Sequence, residues 1–149
     1  MLEGKIALVT GGSTGIGRAT VDALADAGAR LVIGNRNAEL GESLVDELTQ
    51  RSVDAVFLRT DVTDSDQVKA LVDLAVERFG RLDVAFNNAG VDGEQQPLHE
   101  QSERSVEQLL EVNIKGVYYG IKHQAAAMLN NPGGPSGSIV NNSSIFGLA

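Results

Sequence analysis

The stretch Ile6-Ala7-Leu8-Val9-Thr10-Gly11-Gly12-Ser13-Thr14-Gly15-Ile16-Gly17 decides the fold of this chain. Its four leading apolar residues read as a buried strand, and a glycine-rich turn follows at once. Past Gly17 the sequence settles into a helical pattern. A strand, a glycine turn and a helix in that order present main-chain N–H groups and a helix N-terminus to a pyrophosphate. The spacing Gly11-x-x-x-Gly15-x-Gly17 differs from the commoner G-x-G-x-x-G fingerprint. A P-loop is excluded, because Arg18-Ala19 stands where a lysine and a magnesium-binding hydroxyl are needed.

Outward from that turn, short β-rich runs alternate with helical stretches. Strands are expected near 5–10, 30–34, 53–58, 82–87 and 138–143. The helix after the turn carries Ile16, Ala19, Thr20, Ala23, Leu24 and Ala27 at 3.6-residue spacing and ends at Gly28. A second helix over about 38–51 places Leu40, Leu44, Val45 and Leu48 inward. A third carries Val68, Leu71, Val72, Ala75, Val76 and Phe79, and Gly80 closes it. One longer helix is expected over 103–130, with Ser102 as its cap, running into a Pro/Gly loop at Asn130 to Pro135. This alternation implies an α/β fold, a Rossmann-type doubly wound parallel sheet with helices on both faces. Ligands of such sheets sit at the carboxyl ends of the strands, where the strand order switches. The glycine turn, Asn35-Arg36, Asp61-Val62, Asn87 to Gly90 and Ser143-Ser144 all fall at strand carboxyl ends.

Composition narrows the function classes. With 42% hydrophobic and 21% charged residues among 149, the chain has the profile of one folded domain spanning 1–149. No apolar stretch is long enough to span a bilayer, and the N-terminus runs straight into the first strand, so the expectation is a cytoplasmic protein with no membrane partner. The formal net charge of −8 argues against nucleic acid. Cysteine is absent, which removes disulfides and thiolate chemistry. His99 and His123 have no partner at metal-ligand spacing, so both read as surface residues and no metal is expected. Glu94, Glu100, Glu103 and Glu107 read as a solvated loop and helix start.

The glycine spacing, Asn87-Asn88-Ala89-Gly90, Asn113 within Val112-Asn113-Ile114-Lys115-Gly116, and Ile139-Val140-Asn141-Asn142-Ser143-Ser144 together resemble the short-chain dehydrogenase/reductase family over the whole chain. The resemblance implies hydride transfer between a nicotinamide dinucleotide and a small-molecule alcohol or carbonyl. It implies a cofactor site built from Gly11, Ser13, Thr14, Gly15, Ile16, Gly17, Asn35, Arg36, Asp61, Val62, Asn88, Ala89 and Gly90. In it Gly11, Gly15, Ile16 and Gly17 let the backbone approach pyrophosphate and nicotinamide, and Asp61 bonds the adenine edge with Val62 beside it. Asn88, Ala89 and Gly90 line the ribose side. Ser144 polarises the substrate and Asn113 holds a water in the proton relay. Relatives of this kind are dimers or tetramers built partly through the long helix.

Cofactor choice follows from charge. NAD-dependent members of the fold place a carboxylate after the second strand for the ribose 2′-hydroxyl. Here that position is the neutral Asn35, followed by Arg36, and a guanidinium suits a 2′-phosphate. Ser13 adds a hydroxyl beside it. NADP(H) is therefore expected over NAD(H), with a solvated Arg36 as the alternative. The family also relies on a Tyr-x-x-x-Lys pair on the helix after the serine strand, and no such pair follows Ser144 up to Ala149. Tyr118-Tyr119-Gly120-Ile121-Lys122 fits the pattern but lies before that strand, where aromatic residues pack a core or an interface. The expectation is therefore the N-terminal portion of a longer enzyme, with its fifth strand left as a sheet edge. A non-catalytic dinucleotide-binding module is the alternative, and a methyltransferase on a similar sheet fits less well because Asn35-Arg36 replaces an acidic residue.

Overall fold

The computed structural model describes residues 1–144. Strand β1 (Ile6–Thr10) is buried along its whole length, as befits an apolar run without alternation at the centre of a parallel sheet. It lies between β2 (Arg30–Asn35) and β4 (Val84–Asn87), with β3 (Ala55–Arg59) and β5 (Ser138–Asn141) outside them. The order is β3-β2-β1-β4-β5, and every pair is parallel. Successive strands build away from β1 in one direction up to β3, and the chain then returns to β1's other side with β4. That reversal puts a crevice over the carboxyl ends of β1 and β4.

Side-chain alternation along β1 divides the core between two faces. Ala7 and Val9, with Leu31 and Ile33, meet Val21, Ala25, Leu44 and Leu48 from α1 (Gly15–Asp26) and α2 (Ala38–Gln50). Ile6 and Leu8, with Val32 and Ala85, meet Leu71, Val72, Ala75 and Met128 from α3 (Ser65–Phe79) and α5 (Gly116–Leu129). The sheet is thus doubly wound. β5 stands at the edge of the described sheet, with Val140 half exposed.

Three helices differ from their sequence patterns. In α1 the buried stripe is Gly17, Val21 and Ala25, while Ile16, Ala19 and Ala23 are exposed. Alanines stand on both faces of this helix, so apolar spacing has little contrast to report. In α2 the inward stripe is Gly41, Leu44 and Leu48, and Leu40 is 44% exposed. Gly41 lies under Phe57, whose ring would stand 2.1 Å from a Cβ added there. Val76 of α3 is likewise exposed, although Val68, Leu71, Val72 and Ala75 are buried as expected.

The expected long helix is three pieces: α4 (Glu103–Leu109), a π-helical stretch Leu110–Lys115, and α5. Ser102 does cap it, its Oγ accepting from Ser105 N at 3.2 Å. Glu94 takes part as well, accepting from Ser102 N and Oγ at 2.8 Å each. His123 is not a plain surface residue: it is half-buried between α5 and α3, 3.0 Å from Ser65 Oγ. Burial, then the charges of Lys122 and Lys69, pull its pKa below the ordinary histidine value. His99 is exposed.

The amino ends of β1 and β4 are tied together. Asp83 accepts from Ile6 N at 3.0 Å and from Arg81 Nη2 at 2.6 Å, with Lys5 3.5 Å away. Asn131 accepts from Leu82 N at 3.1 Å and donates to Leu82 O at 2.6 Å. The open rim is the opposite one.

Candidate functional site

Helix starts on the open rim are not equivalent. The first turns of α2, α3 and α4 are closed by side chains of Asn37, Asp64 and Ser102, and each contains a carboxylate. α1 has neither: Thr14 makes no side-chain cap bond and its first turn holds no acid. The N–H groups that open a helix need acceptors and carry partial positive charge. At α1 no side chain of the cap or the first turn fills that place.

Tight packing brings this helix start onto the turn. A Cβ at Gly17 would stand 2.0 Å from Gly11 O and 2.6 Å from Asn88 Nδ2, so only glycine lets α1 approach so closely. Gly15 adopts φ +53, in the left-handed region that glycine reaches at least cost. Asn88 fastens the turn from β4, its Nδ2 donating to Thr10 O at 3.3 Å and Gly11 O at 3.2 Å. Thr10 Oγ1 in return accepts from Asn88 N at 3.1 Å and Ala89 N at 3.2 Å. Asn142 Nδ2 donates to Asn88 Oδ1 at 3.1 Å, which links the β5 end to the same knot. A buried pair behind it, Asn87 and Gln124, exchanges hydrogen bonds of 2.9 and 2.7 Å and locks β4 to α5.

Two cavities open along this rim. The smaller, about 230 Å³, is lined by Gly11, Thr14, Asn35, Arg36, Asp61 and Val62 together with Gly34, Thr60 and Val112. The larger, about 680 Å³, is lined by Gly15, Ile16, Asp92, Asn113, Ile114, Val117, Asn142, Ser143 and Ser144. Asn88, Ala89, Gly90 and Val91 line both and join them. Of the residues singled out in the sequence, Ser13 and Gly17 line neither. Ser13 Oγ accepts from Asn35 Nδ2, which also donates to Asn37 O at 3.0 Å. Gly17 is buried beneath the turn. Arg36 is exposed on the rim and forms no ion pair with a described residue.

Asn113 lies in the π-helical stretch, a local irregularity that recurs at functional sites. Its Oδ1 accepts from Val91 N at 3.0 Å and its Nδ2 donates to Val91 O at 2.9 Å. It therefore pins the loop after Gly90, and each amide atom keeps one further hydrogen-bonding position. Ser144 lines the larger cavity beside it. Tyr118 and Lys122 line neither cavity; Tyr118 is 59% exposed and Tyr119 packs against Val62, Val68 and Val112.

The loop after Gly90 was expected to border a substrate pocket, and its Val91 and Asp92 do line the larger cavity, whereas nothing in the pattern singled out Val112 as a lining residue of the smaller one. Among the described residues no group of three or more His, Asp or Glu is placed to hold a metal ion. No helix among them is long and apolar enough to cross a membrane.

The chain as a whole has counterparts among known proteins. An uncharacterised oxidoreductase of Listeria monocytogenes is 41% identical over 147 residues, which cover 99% of this chain and 58% of that protein. The 2,5-dichloro-2,5-cyclohexadiene-1,4-diol dehydrogenase of Sphingobium indicum is 40% identical over 147 residues, 99% of this chain and 57% of its own. Among solved structures, a short chain dehydrogenase/reductase from Burkholderia phymatum in complex with NAD superimposes with a TM-score of 0.91 at 36% identity. That match covers 99% of this chain and 52% of the Burkholderia protein. The chain thus spans little more than half the length of these relatives. The family model for short chain dehydrogenases matches residues 5–149, and with relatives and fold in agreement the chain belongs to that family.

Proposed function

We propose that these residues form the dinucleotide-binding part of an NADP(H)-preferring oxidoreductase that interconverts an alcohol and a ketone or aldehyde. The observation that carries the reading is the uncapped, acid-free start of α1 pressed onto the glycine turn and Asn88. It suits a pyrophosphate there, because backbone N–H groups and the helix dipole both favour negative charge. Gly11, Thr14, Gly15 and Ile16 would hold that group, Asp61 and Val62 the base, and Asn88, Ala89 and Gly90 the ribose side. Bound nicotinamide supplies hydride exchange with the substrate carbon. In this reading Ser144 polarises the substrate oxygen and Asn113 orients a water. The proton is moved by the tyrosine of the Tyr-x-x-x-Lys pair that the family resemblance implies, and the working enzyme is a homodimer or homotetramer.

The preference for NADP(H) rests on Asn35 and Arg36. Asn35 is turned toward Ser13 and Asn37, so the rim offers amide, hydroxyl and guanidinium where a carboxylate would select a ribose hydroxyl. A phosphate recognised by arginine gains charge-assisted hydrogen bonds of about 1.5–3 kcal/mol. Titrating the chain with NADPH and NADH is expected to show NADPH bound about tenfold more tightly or better. Arg36→Ala should bring the two Kd values together, mainly by weakening NADPH. Equal Kd values in the parent chain, or an unchanged NADPH affinity in the variant, would remove the NADP(H) preference.

A further inference from the structure

We propose that Thr63 and Gln67 are positioning residues that aim the Asp61 carboxylate at the amino group of an adenine, and so set the base selectivity of the smaller cavity. The inference rests on the dinucleotide reading above and deepens it. Asp61 follows β3 in a loop, so nothing in the sheet ladder fixes its side chain. Two neighbours do so instead. Its Oδ1 accepts from Thr63 N at 3.0 Å and from Thr63 Oγ1 at 2.8 Å. Its main-chain N–H donates to Gln67 Oε1 at 2.9 Å.

Gln67 is itself held. Its Nε2 donates to Asp64 Oδ2 at 2.9 Å, and Asp64 Oδ1 caps α3 by accepting from Asp66 N at 2.9 Å and Gln67 N at 3.2 Å. Asp64-x-x-Gln67 has the spacing of a capping box, but the glutamine oxygen reaches past the cap residue to Asp61. The first turn of α3 thereby becomes a rigid mount for one residue of the cavity wall.

The consequence lies in what remains unused. Thr63 occupies Oδ1 twice, and Oδ2 has no partner among the described residues although Asp61 lines the cavity. An ionised carboxylate only accepts hydrogen bonds. A fixed acceptor in the wall rewards a base with an exocyclic amino donor and penalises one with a carbonyl oxygen at that position. Adenine carries the amino group, and hypoxanthine carries the carbonyl. A site built to pair a polar group discriminates strongly against the analogue that leaves it unpaired, provided the group cannot swing away.

The test is a titration of the chain with NADPH and with its hypoxanthine analogue, deamino-NADPH, reading the ratio of the two Kd values. Thr63→Val is expected to shrink that ratio roughly threefold to tenfold, the worth of one hydrogen bond. Thr63→Ser should keep the parent ratio, since the hydroxyl is retained. Gln67→Ala, at a half-buried position, should also shrink it and serves if Thr63→Val fails to fold. Asp61→Asn is the reference, expected to abolish most of the discrimination. A merely structural role for Thr63 and Gln67 would weaken both ligands equally and leave the ratio unchanged, which overturns the proposal. Loss of discrimination in Asp61→Asn alone overturns the positioning role and leaves the dinucleotide reading intact. Binding of neither ligand by the parent chain overturns both.

Discussion

Asp83 shows how much rests on single side chains away from the site. Burial by itself would raise its pKa, but hydrogen bonds from Arg81 and the Ile6 N–H, with the charges of Arg81 and Lys5, hold it below the ordinary carboxylate value. A carboxyl depressed in the folded state contributes stability that is present above its unfolded pKa and is lost as pH falls through the folded one. Asp83→Asn should cost about 2 kcal/mol at neutral pH, the size of a hydrogen bond to a charged group. The gap between parent and variant should begin to narrow below about pH 4, the ordinary carboxylate value, and close only as pH falls through the lower value of the folded carboxyl. Urea denaturation at both pH values checks this, and a pH-independent gap would contradict it. At this scale the sequence was legible where chemistry demands one residue type. The glycines of the turn, Asn88 and Asp61 all stand on the cavity walls or beneath them. Thr63 and Gln67 were not legible, because their partners are loop atoms whose positions only the folded chain defines.

Among the elements, the π-helical stretch Leu110–Lys115 matters most for the site. It interrupts what sequence periodicity reads as one helix, since a shift of hydrogen-bond register leaves the composition unchanged. Asn113 projects from it to both main-chain polar groups of Val91. Asn113→Ala should therefore free the loop after Gly90, at a cost of about 1–2 kcal/mol for two lost hydrogen bonds. Hydrogen exchange is expected to speed up at the Val91 amide while the amides of β1 stay protected; an unchanged rate at Val91 would refute the tether. Strands and helix ends were otherwise readable to within a few residues, because turns and caps mark them. The facing of α1 and α2 was not. Both helices turn a glycine toward the sheet, Gly17 onto the turn and Gly41 under Phe57, and periodicity gives a glycine no inward weight.

For the whole molecule, the doubly wound parallel sheet was legible from alternation alone, whereas the order β3-β2-β1-β4-β5, and with it the crevice at the reversal between β1 and β4, came from the fold. What alternation does not supply is the asymmetry between the two rims. The amino rim is tied at β1 and β4 by Asp83 and Asn131 and carries a separate hollow of about 450 Å³ beside Gly28, Arg30 and Asp54. The carboxyl rim keeps an uncapped helix start and two connected cavities. On the reading proposed above, this rim binds a nicotinamide dinucleotide with its pyrophosphate on α1. The most direct measurement is an amide NMR titration of the isotopically labelled chain with NADPH. The largest shifts should fall on Gly11 to Gly17, Asp61-Val62 and Asn88 to Gly90, with the amino rim around Asp83 unmoved. Binding without shifts at Gly15 to Gly17, or no binding at all, would rule out a pyrophosphate site on α1.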